Sequence, residues 1–146
     1  MKFLVFQLII VLPIFMASGC SDEKQKENVS SNPFESWYTG NFRYIDTPYA
    51  YYIYRTRTFQ DEYEIHEKYK VRFDIDWQND STYVLTFDSI LANPNSIIFP
   101  SEIKNFKKTC VITQLADSSY LEKAVSSLKM GSHFTRIYRY SSSIFH

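Results

Sequence analysis

Three places in this 146-residue chain have residue types and spacing suited to chemistry. Cys20 follows an apolar run and three small residues, Ala17, Ser18 and Gly19, and a thiol there is a core residue, half a disulfide, a nucleophile or a lipid acceptor. Arg55 and Arg57 stand two apart; in a strand both guanidinia share a face with Tyr51 and Ile53 and could hold an anion bidentately if that face lines a cavity. The competing use is cross-strand pairing with Glu62 or Glu64 on a solvated face, and it is favoured because charged side chains almost never go inside unpaired. His66 lies near Glu64 and Glu67, a partial metal-ligand set, but alternation puts His66 and Glu64 on the wet face, which reads as a solvated charge pattern.

Other chemistry finds little to work with. No Ser/His/Asp set can be assigned, there is no Gly-rich phosphate loop, and Asp74 and Asp76 are ordinary same-face strand neighbours. Cys20 and Cys110 are the two cysteines, so one disulfide at most is available and no zinc-type spacing exists. Lys plus Arg and Asp plus Glu are balanced at 16 each, which gives no field to gather phosphate backbones and makes nucleic acid a poor partner. The expectation is a non-enzymatic protein with no catalytic residues, metal or cofactor.

The amino terminus bears on Cys20. Lys2 precedes the apolar run Phe3–Met16, whose 14 residues fall short of the roughly 20 needed to span hydrocarbon as a helix, and Pro13 interrupts it. This is a signal-peptide pattern, to be kept apart from the fold. The sequence Ala17-Ser18-Gly19-Cys20 resembles a bacterial lipobox, with Ala17 in place of the commoner Leu; the resemblance implies cleavage before Cys20 and acylation of its thiol. Each buried methylene adds about 0.8 kcal/mol, so two or three acyl chains anchor durably. Ser21 is not the aspartate that retains enteric lipoproteins at the inner membrane, and Asp22 and Glu23 resemble the surface-export signal of Bacteroidetes lipoproteins. From Ser21 to Pro33 Val29 is the only aliphatic residue, so this stretch reads as a flexible tether.

The elements beyond the tether are strands. The chain holds 12 Tyr, 12 Phe and 2 Trp with only three Gly, a composition of β formers and large apolar area. From Tyr63 to Trp77 the odd positions are apolar except Glu67 and the even ones polar, the period of a sheet with one buried and one wet face. A three-residue turn over His66, Glu67 and Lys68 would pair Ile65 with Tyr69 and keep odd positions inward. A turn over 78–82 leads to Tyr83, Leu85 and Phe87, again odd, completing three strands of a meander. Upstream, strands are expected over 40–45 and 51–59 with Pro48 between them; downstream, a long connection with Asn93-Pro94 and Phe99-Pro100 precedes strands over 109–115 and 133–140. The segment 118–131 carries a Ser119-x-x-Glu122 capping box and Gly131 as a stop, so local rules favour a helix, while its neighbours favour a β-hairpin turning at Asp117–Ser118.

With these strands placed, the stretches over 38–46, 54–65, 74–87 and 112–120 resemble small Bacteroidetes envelope lipoproteins of flavobacterial type. These share a G-x-F strand (here Gly40-Asn41-Phe42), an Arg-bearing strand, a W-x-N-D-x-x-Y-x-L stretch (Trp77, Asn79, Asp80, Tyr83, Leu85) and a late hairpin. The resemblance favours the hairpin reading of 118–131 and implies an envelope location, but no activity. Such relatives often carry cysteines where Phe34 and Ser81 stand here, which leaves Cys110 as a buried structural thiol.

The expected organisation is a signal peptide over 1–19, the acylated Cys20 and tether over 20–33, an all-β antiparallel meander over 34–140, and a tail over 141–146. The sheet is expected to be a lipocalin-like barrel or half-barrel. The favoured function is an interaction module at the outer membrane, surface-exposed or periplasm-facing, bound to the membrane through Cys20 and meeting an envelope protein or glycan at a tyrosine rim. The alternative is a lipocalin-like carrier of a small apolar or anionic ligand. A cavity of about 300 Å³ or more favours the carrier, and a filled interior favours the module.

Overall fold

The computed structural model describes residues 32–128 and 131–141. Its strands are β1 (Gly40–Asp46), β2 (Tyr49–Arg55), β3 (Phe59–Glu64), β4 (Lys70–Trp77), β5 (Thr82–Ala92), β6 (Lys107–Leu115), β7 (Ser119–Ser126) and β8 (Ser132–Arg139). Each pairs antiparallel with the next, and β8 returns to β1 through Phe42 opposite Arg139 and Arg43 opposite Tyr138. The meander is therefore a closed eight-stranded barrel and not a half-barrel. Closure leaves no sheet edge in need of a partner.

Turn chemistry sets the strand boundaries. The expected single strand over 51–59 is two strands, because the Thr56 hydroxyl accepts the N–H of Thr58 (3.3 Å) and of Phe59 (3.1 Å) and folds the chain between β2 and β3. Asn79 does the same between β4 and β5, its side-chain oxygen accepting the N–H of Ser81 and of Thr82, each at 3.0 Å. Pro48 lies in the β1–β2 turn and follows a cis peptide bond. The ambiguous segment is strand β7, entered through a tight Asp117–Ser118 turn closed by the Ala116 N–H donating to the Ser119 carbonyl at 2.8 Å. Tertiary pairing with β6 and β8 overrides the local capping box there.

The β3–β4 turn differs from expectation in a way that matters for function. Tyr63 pairs with Lys70, Glu62 with Val71 and Gln60 with Phe73, and the Glu64 N–H donates to the Tyr69 carbonyl at 3.0 Å. The loop thus has four residues, Ile65–Lys68, and not three. An even-length loop reverses parity, so even positions of β3 share a face with odd positions of β4. Glu64 fixes this loop: its carboxylate accepts the Glu67 N–H and, at 3.5 Å, the Ala50 N–H. Gln60, Glu62 and Glu64 are buried beside Val71, Phe73 and Ile75, and the exposed His66 sits in the loop, apart from the inward Glu64.

One end of the barrel is filled. The 3-10 turn Glu35–Trp37 lays Trp37 across it, with ring centroids 5.9 Å from Phe42 and 5.2 Å from Tyr120, and the Arg139 guanidinium lies 4.3 Å from the Trp37 ring. Ile53, Tyr83, Leu85, Ile112 and Ile137 complete this core. Gly40, at φ +134°, lets the chain turn from the plug into β1, a conformation L side chains rarely adopt. Above the other end, the connection from β5 to β6 is pinned by Asn93, whose side chain bonds the Ile97 N–H and carbonyl at 2.8 and 2.9 Å.

Lys68 adopts φ +58°, which closes the four-residue loop. Lys68→Val should cost about 1–2 kcal/mol because a β-branched residue resists the left-handed region, while Lys68→Gly should be tolerated. Urea unfolding of the two variants checks this, and equal stabilities would show that the loop does not depend on that backbone conformation.

Candidate functional site

The reversed parity of β3 brings charge into the lumen. Arg55 at the end of β2 donates from Nε to Gln60 Oε1 at 2.6 Å, from Nη2 to the Tyr83 hydroxyl at 2.7 Å, and from Nη1 to the Trp37 carbonyl at 3.3 Å. Gln60 passes the contact on, donating from Nε2 to Glu62 Oε1 at 2.6 Å, and the Tyr44 hydroxyl donates to Glu62 Oε2 at 3.1 Å. On the other side, the Tyr83 hydroxyl donates to Glu122 through a very short hydrogen bond, with the Tyr120 hydroxyl at 3.5 Å from the same oxygen. Lys108 on β6 closes the circuit, its Nζ 3.9 Å from Glu62 Oε1 and 3.8 Å from Glu122 Oε1. Arg55, Gln60, Glu62, Lys108, Glu122 and Tyr83 therefore form a ring of polar contacts across the barrel.

Two basic side chains, Arg55 and Lys108, stand against two acidic ones, Glu62 and Glu122, in the ring. Burial pushes the Glu122 carboxyl up, but Lys108, Arg55 and the Tyr83 hydroxyl outweigh it and leave it below its usual value. Burial alone would lower Lys108, yet neighbours including Glu62 and Glu122 raise it, so the amine stays protonated. Arg55 is likewise held charged against its burial by Tyr120, Tyr83 and Glu122. Burial pushes the Tyr120 phenol up to about 12, so it remains a neutral donor.

Above the ring the lumen is empty of protein. A cavity of about 320 Å³ lies there. Its walls are mainly apolar: Val71 and Phe73 from β4, Ala124 from β7, Ile137 from β8, and Phe99, Ile103 and Phe106 from the β5–β6 connection. The connection is held over the lumen by aromatic contacts, Phe99 on Tyr69 (5.2 Å) and Phe106 on Phe73 (5.6 Å). Glu62, Lys108 and Glu122 form the polar floor. At the rim stand the Tyr51 and Tyr69 hydroxyls, 3.3 Å apart, and Asp46 with His133 Nε2 at 3.8 Å.

The sequence-derived candidates fall in different places. Cys20, Ser21, Asp22 and Glu23 lie outside the described residues. Arg55 and Arg57 do not share a strand face, because β2 ends at Arg55 and the chain turns there. Arg55 is 1% exposed, behind the floor with its donors committed to protein, whereas Arg57 is exposed and pairs with Glu35 at 3.0 Å. The expected ion pairing of Arg55 with Glu62 or Glu64 on a solvated face is not formed: Arg55 bonds Gln60 inside the barrel, and Gln60 in turn bonds Glu62. Cys110 is a buried free thiol, its pKa raised chiefly by burial.

Sequence reasoning missed Lys108, Glu122 and Gln60. The signal for Glu122 was alternation in β7, where Tyr120, Glu122, Ala124 and Ser126 share a face. Among the described residues no group of three or more His, Cys, Asp or Glu is placed to hold a metal ion. No family model, curated protein or solved structure matches this chain.

The depressed Glu122 gives a pH signature. Its contribution to stability is complete above the ordinary carboxylate value of 4.5 and is lost as pH falls through its lower folded value. Glu122→Gln should flatten the acid limb of stability against pH, and should cost roughly 2–3 kcal/mol at neutral pH by leaving Lys108 less compensated. Urea melts from neutral to acid pH measure both, and an unchanged acid slope would show that Glu122 is not held ionised.

Proposed function

We propose that the barrel is a lipocalin-like carrier that holds a small, largely apolar molecule in its lumen. The observation that carries this reading is the 320 Å³ cavity, walled mainly by aliphatic and aromatic side chains. Ligand sites are typically concave, mostly apolar, and about 300–1,000 Å³, with a few placed polar groups. An interaction module working from a tyrosine rim needs no such space, so the cavity turns the preference from module to carrier. No catalytic constellation enters the reading, and the cavity needs none to bind.

The anchor belongs to the same proposal. A lipid on Cys20, with the stretch to Pro33 as tether, would hold the carrier at the envelope, the outer membrane of a Bacteroidetes-type cell being the location the amino-terminal motif suggests. Surface display is favoured over a periplasmic face by Asp22 and Glu23 alone. A tethered barrel can exchange an apolar cargo with a nearby membrane or partner without crossing water far from either.

Each half has its own test. The neutral fluorophore N-phenyl-1-naphthylamine should brighten on mixing with the full chain, and Ala124→Phe, which fills the lumen, should abolish the signal while the barrel stays folded by circular dichroism. Equal brightening by both proteins would place the probe elsewhere and remove the carrier reading. Labelled fatty acid should enter the wild type in cells and fail to enter Cys20→Ala, and equal labelling would sink the anchor.

A further inference from the structure

Building on the carrier reading, we infer that the cavity takes an uncharged amphiphile. Its hydroxyl or carbonyl oxygen accepts a hydrogen bond from Lys108, and its apolar body fills the space toward the β5–β6 connection.

Hydrogen-bond capacity at the floor points to an acceptor. Glu62 already receives Gln60 and Tyr44, and Glu122 receives Tyr83 and Tyr120. Lys108 is different. Its carboxylate neighbours stand at 3.8 and 3.9 Å, near enough to hold the charge but beyond hydrogen-bond distance. An ammonium carries three donors and no acceptor. Among the described residues Lys108 Nζ makes no hydrogen bond, and its 20% exposed side chain lines the cavity. Lys108 therefore offers open donors beside carboxylates that keep spare lone pairs, Glu122 Oε1 among them, so the group that meets the floor must accept and can donate as well.

Charge then separates acceptors. The ring is neutral as it stands, with Arg55 and Lys108 against Glu62 and Glu122, and Asp46 at the rim adds a further negative charge. A carboxylate ligand at Lys108 would meet one cation already flanked by two carboxylates, and would lose its water to do so. An alkylammonium could donate to Glu122 but would leave the Lys108 donors without an acceptor and face the Lys108 charge. An alcohol, aldehyde, ketone or amide needs no counter-charge and gains a charge-assisted hydrogen bond. The apolar walls, Val71, Phe73, Ile103, Phe106 and Ile137, accept the body of any of these equally, so the head group decides selection.

Competition within one chain length tests the idea on the full chain near neutral pH. Bound N-phenyl-1-naphthylamine is challenged with 1-decanol, decanoate and decylamine. Decanol should displace it at a concentration about tenfold lower than either charged analogue, the scale of one hydrogen bond to a charged group. Lys108→Met, which keeps the length and apolar stem, should weaken decanol about tenfold relative to the probe, the affinity of each being measured directly on the variant. Decanoate competing as well as decanol, or Lys108→Met leaving decanol unchanged, would overturn the inference while the carrier reading stands. A probe that never binds the wild type would remove both. The wild-type series decides the matter even where the variant fails to fold.

Discussion

The barrel is organised around two carboxylates that cannot be left alone in its interior. An isolated buried charge costs many kcal/mol and would be neutralised or expelled. Glu62 and Glu122 remain because Arg55 reaches one through Gln60 and the other through Tyr83, and because Lys108 stands between them. These contacts join β2, β3, β5, β6 and β7, so the ring depends on closure of the sheet and also favours it. Arg55 ties the same network to the plug through the Trp37 carbonyl. The closed end, the polar floor and the lumen above it are thus one construction.

This division gives the molecule two unlike halves on either side of the ring. Toward the closed end, Trp37, Phe42, Ile112 and Tyr120 leave little space and the packing resembles an ordinary core. Toward the open end, the inward positions of the strands are Tyr44, Tyr51, Val71, Ala124 and Thr135, and the side chains do not meet across the lumen. An eight-stranded barrel is wide enough for either outcome, side-chain filling or one small ligand. Here the same barrel shows both, with the change of regime at Lys108.

How much of this was legible in the sequence depends on parity. Odd positions of β4 and β5 face inward as their alternation indicates, because Val71, Phe73, Ile75, Tyr83 and Leu85 are apolar and their partners polar. In β3 the same rule fails: Phe59, Tyr63 and the following Ile65 are the apolar set, yet Gln60, Glu62 and Glu64 go inside. Hydrophobic alternation assumes that the inside is apolar, and a polar floor violates that assumption in β3, one of the strands that build it. Loop length would have corrected the error, but it is set by Glu64 bonding the Glu67 N–H and by Lys68 entering the left-handed region, neither of which composition announces. That Arg55 would meet a polar partner across β3 was readable from charge; that the partner is Gln60, inside the barrel, was not.

The cost of the ring is itself informative. Replacing a buried ionic network by well-packed apolar residues of similar size is often neutral or stabilising. A barrel selected only to fold would have no need of Glu62, Lys108 and Glu122 in its middle, when Leu, Met and Phe would fill the same height and close the cavity. The ring does what such residues cannot. It stops the aromatic core from rising into the lumen, because the balanced carboxylates and cations must keep their mutual distances, and it presents one ammonium upward with its donors open. A charge-neutral floor also differs from a lone lysine. A lone buried lysine would shed its proton or recruit any anion, whereas Lys108 is kept charged by neighbours that simultaneously repel anions.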